Sequence, residues 1–215
     1  MKIAIVTGAT SGLGRAFLDE WQARDYYFDE VWLVARHQER LEEVGLNLPW
    51  DARLFALDLS VESDRAMLAR TLKEEAPRVQ YVVNAAGYGK IGSVEAIDAT
   101  EQVGMVELNC AALVDVTQLV LPYLTLGSVI FEIASVAAFL PQPNFAVYAA
   151  SKSFVHSTPS SSTRVLALSA YAQTQWQRHS LNVPVAHRSF SNNSFLKSRK
   201  KSHMQPLKRH SKVEM

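Results

Sequence analysis

The sequence is poor in cysteine: Cys110 is the single one in 215 residues. One cysteine excludes a framework of internal disulfide bonds, and it is typical of a protein that folds in the reducing cytoplasm. No apolar run approaches the ~20 residues of a membrane span. The first apolar stretch, KIAIV, leads directly into a glycine turn, which is unlike a signal peptide. We therefore expect a cytoplasmic protein with no membrane partner.

Acidic residues are nearly missing from the C-terminal part of the chain. Residues 1–155 hold 12 Lys and Arg against 20 Asp and Glu, whereas residues 156–215 hold 10 basic residues and one acid, Glu214. The later segment also holds five of the six histidines and 12 serines. One folded domain rarely changes composition so abruptly. The sequence thus predicts a folded domain over residues 1–155 and a basic, serine-rich, poorly ordered tail over residues 156–215.

Short apolar runs alternate with segments of helical length in the first region. The predicted strands are KIAIVTG (2–8), VWLVA (31–35), ARLFALDLS (52–60), VQYVVNAAG (79–87) and GSVIFEIAS (127–135). A helix is predicted over residues 12–24, and a long one from about Thr100 to Leu124. Strands that alternate with helices indicate an α/β fold with a doubly wound parallel sheet of the Rossmann type.

The periodic pattern fails beyond residue 155. RVLALSAYAQTQWQ (164–177) favours a helix, and SLNVPVA (180–186) is at most a weak strand because of Pro184. We therefore expect a sheet that is incomplete at its C-terminal side. The fifth strand would then form an apolar edge, which favours aggregation and poor solubility.

A glycine-rich turn, TGATSGLG, joins the first predicted strand to the first helix through Gly8, Gly12 and Gly14. Glycines at this junction allow the backbone to approach a pyrophosphate, which the positive end of the helix attracts. The pattern alone fits a plain strand–helix turn as well. Its position at the first junction favours a dinucleotide site.

Four further motifs follow in order along the chain. NAAG (84–87) ends the fourth strand, Asn109 lies in the long helix, Ser135 ends the fifth strand, and Tyr148 precedes Lys152 by four residues. Together with the glycine spacing, they make residues 1–155 resemble the short-chain dehydrogenase/reductase family. The resemblance implies a dinucleotide-binding and catalytic domain that interconverts an alcohol and a ketone or aldehyde by hydride transfer with NAD(P).

The Tyr148/Lys152 pair has a chemical rationale of its own. A phenol with its ordinary pKa near ~10 exchanges protons poorly at neutral pH. A lysine four residues further on shares its helix face, and a nearby cation favours the phenolate. Tyr148 would then act as acid and base, while Ser135 polarises the carbonyl. The resemblance implies that Lys152 also holds the nicotinamide ribose and that Asn109 supports a proton relay through water.

The residue after the second strand distinguishes the two nicotinamide cofactors. An acid there usually binds the ribose of NAD. This chain has Ala35 followed by Arg36, which can pair with a 2′-phosphate, so NADP is favoured over NAD. A solvated arginine at a helix start is the alternative. The resemblance implies no metal. It assigns the cofactor contacts to Thr7, Gly8, Ser11, Gly12, Leu13, Gly14, Arg36, Asp58, Asn84, Ala85, Gly87, Tyr148 and Lys152.

The substrate is left open beyond a small carbonyl compound or alcohol. Phe139, Leu140, Pro141 and Phe145 lie between the Ser135 and Tyr148 motifs. They would form an apolar wall beside the site, or they could belong to the core.

The C-terminal segment departs from the family pattern. Pro159 and a run of serines follow the Tyr148 helix, and the Pro-Gly motif that ends the family's sixth strand is missing. We favour the hypothesis that a frame shift near codons 154–157 replaced the C-terminus, which could leave a catalytically impaired nucleotide-binding remnant. The alternative is a genuine extension that binds nucleic acid or acidic lipid, although no nucleic-acid module accompanies its basic residues, Lys197, Arg199, Lys200 and Lys201. Whether the chain forms a homo-oligomer through the helices around the site is left open by the sequence.

Overall fold

The computed structural model describes residues 1–140 and 142–158, together with the backbone of a strand at 165–168. The strands are β1 (Lys2–Thr7), β2 (Glu30–Ala35), β3 (Asp51–Ala56), β4 (Arg78–Asn84), β5 (Leu124–Ile133) and β6 (Val165–Leu168). They pair in parallel in the order β3-β2-β1-β4-β5-β6. The helices are α1 (Gly12–Ala23), α2 (Gln38–Leu46), α3 (Glu62–Glu75), α4 (Ala99–Val106), α5 (Leu113–Val120) and α6 (Ala146–Ser157).

Both faces of the sheet are buried, which explains why its strands are nearly continuous apolar runs. Because side chains alternate along a strand, Ala4 and Val6 of β1 point into one core cluster, and Ile3 and Ile5 point into the other. Helices α1 and α2 cover the first face; α3 and α5 cover the second. The predicted doubly wound, Rossmann-type fold is confirmed.

An aromatic cluster fills the core beneath α1. Phe28 is 2% exposed and lies 5.2 Å, between ring centroids, from both Trp21 and Trp50. Tyr81 of β4 contacts Phe28 edge to face. These rings join the loop before β2 to the centre of the sheet, so the cluster stabilises the half of the fold that carries the glycine-rich turn.

Replacing Phe28 with alanine should destabilise the protein strongly. Loss of a buried phenylalanine costs about 3–5 kcal/mol because a cavity remains. The neighbouring Tyr27, 68% exposed, gives the matched control, and Tyr27→Ala should cost about 1 kcal/mol or less. Urea unfolding followed by circular dichroism measures both values. Equal losses for the two variants would contradict the assignment of Phe28 to the core.

The long helix predicted from Thr100 to Leu124 is interrupted. Between α4 and α5 the chain forms a π-helical segment over Glu107–Ala112, and a short 3-10 turn follows at Leu121–Tyr123. By length and composition alone, the stretch Ala99–Tyr123 could cross a membrane, with a mean hydropathy of 1.4. Val116 and Val120 pack against the sheet, as residues of a core helix do.

The C-terminal side of the sheet carries one short strand beyond the five predicted. Val165–Leu168 forms strand β6, within a segment that could be a helix by propensity. It pairs in parallel with Ile130–Ile133, so β5 is not an edge strand. The prediction of poor solubility, which rested on an exposed β5 edge, therefore loses its structural reason. A strand of four residues depends on its pairing with β5 more than on local propensity.

Several predictions fall on residues outside the described ones. They concern Pro141, Pro159 and its serine run, the rest of the segment 169–177, the weak strand with Pro184, and the basic tail with Lys197, Arg199, Lys200 and Lys201. The frame-shift hypothesis and its alternative stay predictions.

Candidate active site

The glycine-rich turn lies at the carboxyl end of β1, packed against the end of β4. Gly8 has a φ of +65°, and a Cβ there would lie 2.9 Å from backbone atoms of Ala85 and Ala86. A Cβ at Gly14 would overlap the carbonyl oxygen of Gly8. Gly12, with a φ of +54°, faces open space at the start of α1. The turn is therefore compact on its protein side and open where a pyrophosphate would approach.

Two residues assigned to the cofactor form hydrogen bonds within the protein. Thr7 is 1% exposed; its hydroxyl accepts from the Ala86 amide at 3.1 Å and donates to the Val83 carbonyl at 3.4 Å. Asn84 is also buried and donates its amide to Thr117 at 3.0 Å. Both side chains hold the segment around NAAG to its neighbours. Ser11 and Leu13 lie at the start of α1, beside Gly12.

A cavity of about 440 Å³ opens beyond the ends of β2 and β3. It is lined by Arg36, Asp58, Ser60, Tyr88, Lys90, Thr100, Glu101, Gly104 and Leu108. Burial raises the pKa of the Asp58 carboxyl, but hydrogen bonds from Ser60 and the charge of Arg36 outweigh it and hold that pKa below its ordinary value. A fixed carboxylate and a guanidinium therefore share one cavity.

Lys152 is the buried centre of the second half of the site. It is 8% exposed, and its Nζ donates to the carbonyl oxygen of Ile133, the last residue of β5, at 2.7 Å. The ammonium lies 6.0 Å from the ring centroid of Tyr148, four residues earlier on α6. Burial lowers the pKa of Lys152 to about 8, while the charges of Cys110 and Glu132 oppose that shift.

The Tyr148 ring is enclosed by two neighbours. Phe145 meets it edge to face at 5.0 Å between centroids. On another side Gly89 lies so close that a Cβ there would be 2.6 Å from the ring. Any larger residue at position 89 would have to move the phenol, so the glycine is required for the observed ring position.

Asn109 lies in the π-helical segment and is 1% exposed. Its Oδ1 accepts from the Tyr88 amide at 3.0 Å, and its Nδ2 donates to the Tyr88 carbonyl at 2.9 Å. The same Nδ2 donates to the Ser151 hydroxyl at 3.0 Å, which itself donates to the Tyr148 carbonyl at 2.8 Å. Asn109 thus joins the loop after NAAG to the helix of Tyr148, and Gly87 leaves room for its Oδ1.

Ser135 follows β5 by two residues. Its hydroxyl oxygen accepts from the Ala137 amide at 3.2 Å and caps the short turn Val136–Ala138. A hydroxyl that accepts still has its own proton to donate, so Ser135 can offer it to a substrate oxygen. The structure places Ser135, Asn109, Tyr148 and Lys152 around the carboxyl ends of β4 and β5.

Three residues of this region were missed from the sequence: Thr117, Glu132 and Ser151. Glu132 is fully buried, and its Oε1 accepts from Thr117 at 2.8 Å and from Asn84 at 3.2 Å. A glutamate inside the apolar run VIFEIAS was the available signal. Ser151 lies next to Lys152, and its contact with Asn109 depends on the fold.

The parallel sheet, the glycine turn and the polar groups at its carboxyl end define a dinucleotide-binding protein of the Rossmann class. The chain belongs to the short-chain dehydrogenase family, whose model matches residues 2–170. That match extends beyond residue 155 and includes β6. Membership implies a nucleotide cofactor and a small-molecule substrate.

Two similar proteins are named as oxidoreductases. An uncharacterised oxidoreductase of Staphylococcus epidermidis is 28% identical over 86% of this chain and 80% of its own length. Sulfoacetaldehyde reductase 2 of Chromohalobacter salexigens is 35% identical over 71% of this chain and 62% of its own length.

Two solved structures resemble the fold. A short-chain dehydrogenase of Sphingobium yanoikuyae in complex with NADPH is 28% identical, with a TM-score of 0.63 over 72% of this chain and 61% of that one. A 3-ketoacyl-(acyl-carrier-protein) reductase of Brucella melitensis complexed with NADH is 27% identical, with a TM-score of 0.67 over 78% of this chain and 73% of that one. Two of these four matches span less than two thirds of the other protein.

Gly89→Ala should displace the Tyr148 ring and lower activity. The added methyl group would overlap the phenol, whose position must be held closely for proton transfer, and a misplacement of this size can cost about 100-fold in rate. Gly92→Ala in the same loop is the matched control, because a Cβ there meets only the side chain of Ile97. Steady-state kinetics of carbonyl reduction measure both. Equal rates for the two variants would contradict the enclosed position of Tyr148.

Proposed function

We propose that this chain is an NADP-dependent reductase and dehydrogenase that interconverts an alcohol and a ketone or aldehyde. The observation that carries the proposal is the buried Lys152 ammonium, fixed to the end of β5 and one helical turn from Tyr148. Burying an ammonium costs free energy, so a fold rarely retains one without a function. Its place at the carboxyl end of a doubly wound sheet is where this class of fold binds ligands.

NADPH would supply the hydride for the carbonyl carbon when bound. Tyr148 would give a proton to the substrate oxygen during reduction and take one back during oxidation. Lys152 would donate a hydrogen bond to ribose hydroxyls. Ser135 would donate a hydrogen bond to the same substrate oxygen. Asn109, already satisfied by Tyr88 and Ser151, would position α6 beside the nicotinamide site.

The residues at the glycine turn fit a pyrophosphate, and the cavity fits an adenosine. Gly12 faces open space at the first turn of α1, Gly8 and Gly14 allow the turn to pack closely, and Asp58 has a carboxylate fixed by Ser60. The choice of NADP over NAD rests on Arg36, which lines the cavity and acts electrostatically on Asp58. A guanidinium can form paired hydrogen bonds with a 2′-phosphate.

The substrate would be a small carbonyl compound with an apolar substituent. Phe139 and Leu140 follow the turn after Ser135 and are more than half exposed. Phe145 packs on the Tyr148 ring, whereas Phe139 contacts His156, two helical turns further along α6. The apolar contact of Phe145 with the phenol and the exposed Phe139 and Leu140 in the same segment support a ketone or aldehyde with a hydrocarbon part.

Tyr148→Phe tests the catalytic assignment. The variant should bind NADPH within about twofold of the unchanged chain, because the ring and its packing remain. Its turnover of a panel of ketones and aldehydes should fall by about 10²–10⁴-fold, since the proton donor is lost. NADPH fluorescence titration and the decay of its absorbance give the two values. Reduction by Tyr148→Phe at the unchanged rate would contradict the proposal.

The same assay distinguishes the alternative, a nucleotide-binding remnant without turnover. An unchanged chain that binds NADPH weakly if at all and reduces no carbonyl in the panel would support the remnant.

Arg36→Ala tests the cofactor preference. Loss of a charge-assisted contact with the 2′-phosphate should weaken NADPH binding about tenfold or more, and NADH binding should stay within about twofold. Arg40→Ala, an exposed arginine on α2, is the matched control and should alter neither value. If Arg36→Ala weakens both cofactors equally, the guanidinium does not select NADP.

A further inference from the structure

The turn that follows Ser135 is docked on helix α6, which carries Tyr148 and Lys152. Ser153, the residue after Lys152, donates its hydroxyl to the carbonyl oxygen of Ala138 at 2.9 Å. The proposed reaction gives Ser153 no role. Its contact nevertheless joins the two segments that carry the groups proposed to act on the substrate oxygen.

Ala138 connects this contact to Ser135 through its peptide groups. Its carbonyl accepts from Ser153, and its amide donates to the Ser135 carbonyl at 3.0 Å. Within the same turn, the Ser135 hydroxyl accepts from the Ala137 amide at 3.2 Å. Because each peptide unit is planar and stiff, a shift of the Ala138 carbonyl would move the turn that orients the Ser135 hydroxyl.

The Ser153 hydroxyl has one proton and two acceptors. Besides the Ala138 oxygen, it lies 2.9 Å from the carbonyl oxygen of Ala149, one turn earlier on α6. A serine in any helix can form this second bond, which stays within the helix. The bond to Ala138 depends on tertiary structure, and it joins α6 to the turn after Ser135.

Other contacts of α6 with this segment lie before and after the turn. Before it, Val155 packs with Ala134 in a small buried cluster. After it, the rings of Phe139 and His156 lie 4.3 Å apart between centroids. The bond from Ser153 lies between these two points and reaches the turn itself, so it can set how the turn sits on α6.

We propose that Ser153 is a positioning residue: its hydroxyl holds the turn Val136–Ala138 on α6 and thereby fixes the Ser135 hydroxyl relative to the Tyr148 phenol. In the proposed function both groups act on one substrate oxygen, so their spacing decides whether that oxygen can reach both at once. The catalytic consequence rests on the proposed function. The docking of the turn rests only on the hydrogen bonds around Ala138.

Hydrogen exchange tests the docking without an assay of activity. In Ser153→Ala the Ala138 amide should exchange about tenfold faster, because loss of one hydrogen bond eases local opening by about that factor. Alanine is a better helix former than serine, so α6 should form in the variant. Exchange is measured by NMR on ¹⁵N-labelled protein. An Ala138 amide that exchanges at the same rate in Ser153→Ala as in the unchanged chain would overturn the proposal.

Thr71→Val is the matched control for the loss of a helical hydroxyl. The Thr71 hydroxyl donates within α3 to the Met67 carbonyl at 3.1 Å. Its removal should leave the exchange rate of the Ala138 amide unchanged. An equal increase in Thr71→Val and Ser153→Ala would overturn the proposal, because the increase would then report a general loss of stability.

A double-mutant cycle tests whether Ser153 acts through Ser135. Ser153→Ala should lower kcat for carbonyl reduction about tenfold in the unchanged chain, but less than about twofold in a chain that already has Ser135→Ala, because no hydroxyl is left there to misplace. NADPH affinity should stay within about twofold, and Ser153→Thr, which retains the hydroxyl, should restore most of the rate. The same loss in both backgrounds, or no loss in the unchanged chain, would overturn the positioning role.

The two experiments separate this role from the proposed function. If the unchanged chain reduces no carbonyl in the panel, the proposed function fails, and the exchange rate of the Ala138 amide still decides whether Ser153 holds the turn. If the chain reduces carbonyls and Ser153→Ala does so at the same rate, the positioning role is overturned and the proposed function stands.

Discussion

The hydrogen bond between the Lys152 ammonium and the Ile133 carbonyl joins helix α6 to the end of strand β5. The remaining site geometry depends on this junction, because α6 also carries Tyr148. An ammonium can be held at this depth only if acceptors and charges around it offset its desolvation. The Ile133 carbonyl at 2.7 Å supplies such an acceptor.

Two separate groups of hydrogen-bonded side chains lie around the carboxyl ends of β4 and β5. In the first, Asn84, Thr117 and Glu132 join β4, α5 and β5. In the second, Asn109 contacts Tyr88 and Ser151, and Ser151 contacts Tyr148. Buried hydrogen bonds of this kind restrict the elements that carry them to one arrangement. The two groups therefore hold β4, β5, α5 and α6 in place around the site.

Much of the fold was predictable from the sequence, since apolar runs and glycine turns report burial and backbone conformation directly. The five strands and the order of the motifs followed from those local signals. The π-helical segment at Asn109 could not be predicted, because one wider turn leaves the apolar pattern of the helix almost unchanged. Thr117 and Ser151 act through partners distant in sequence, so no local pattern reveals them. Strand β6 was missed because its four apolar residues lie within a segment of helical propensity.

The composition break near residue 155 does not coincide with the end of the family's features. Helix α6 extends to Ser157 and the family match extends to residue 170, so the family's features continue past the break. The charged tail lies outside the described residues, and its origin by a frame shift stays a hypothesis that the gene sequence can decide.

The most direct measurement is a crystal structure of the chain with NADPH bound. The account predicts the nicotinamide ribose within hydrogen-bond distance of the Lys152 ammonium and the nicotinamide ring beside the Tyr148 phenol. A cofactor that binds with its nicotinamide away from both residues would contradict it.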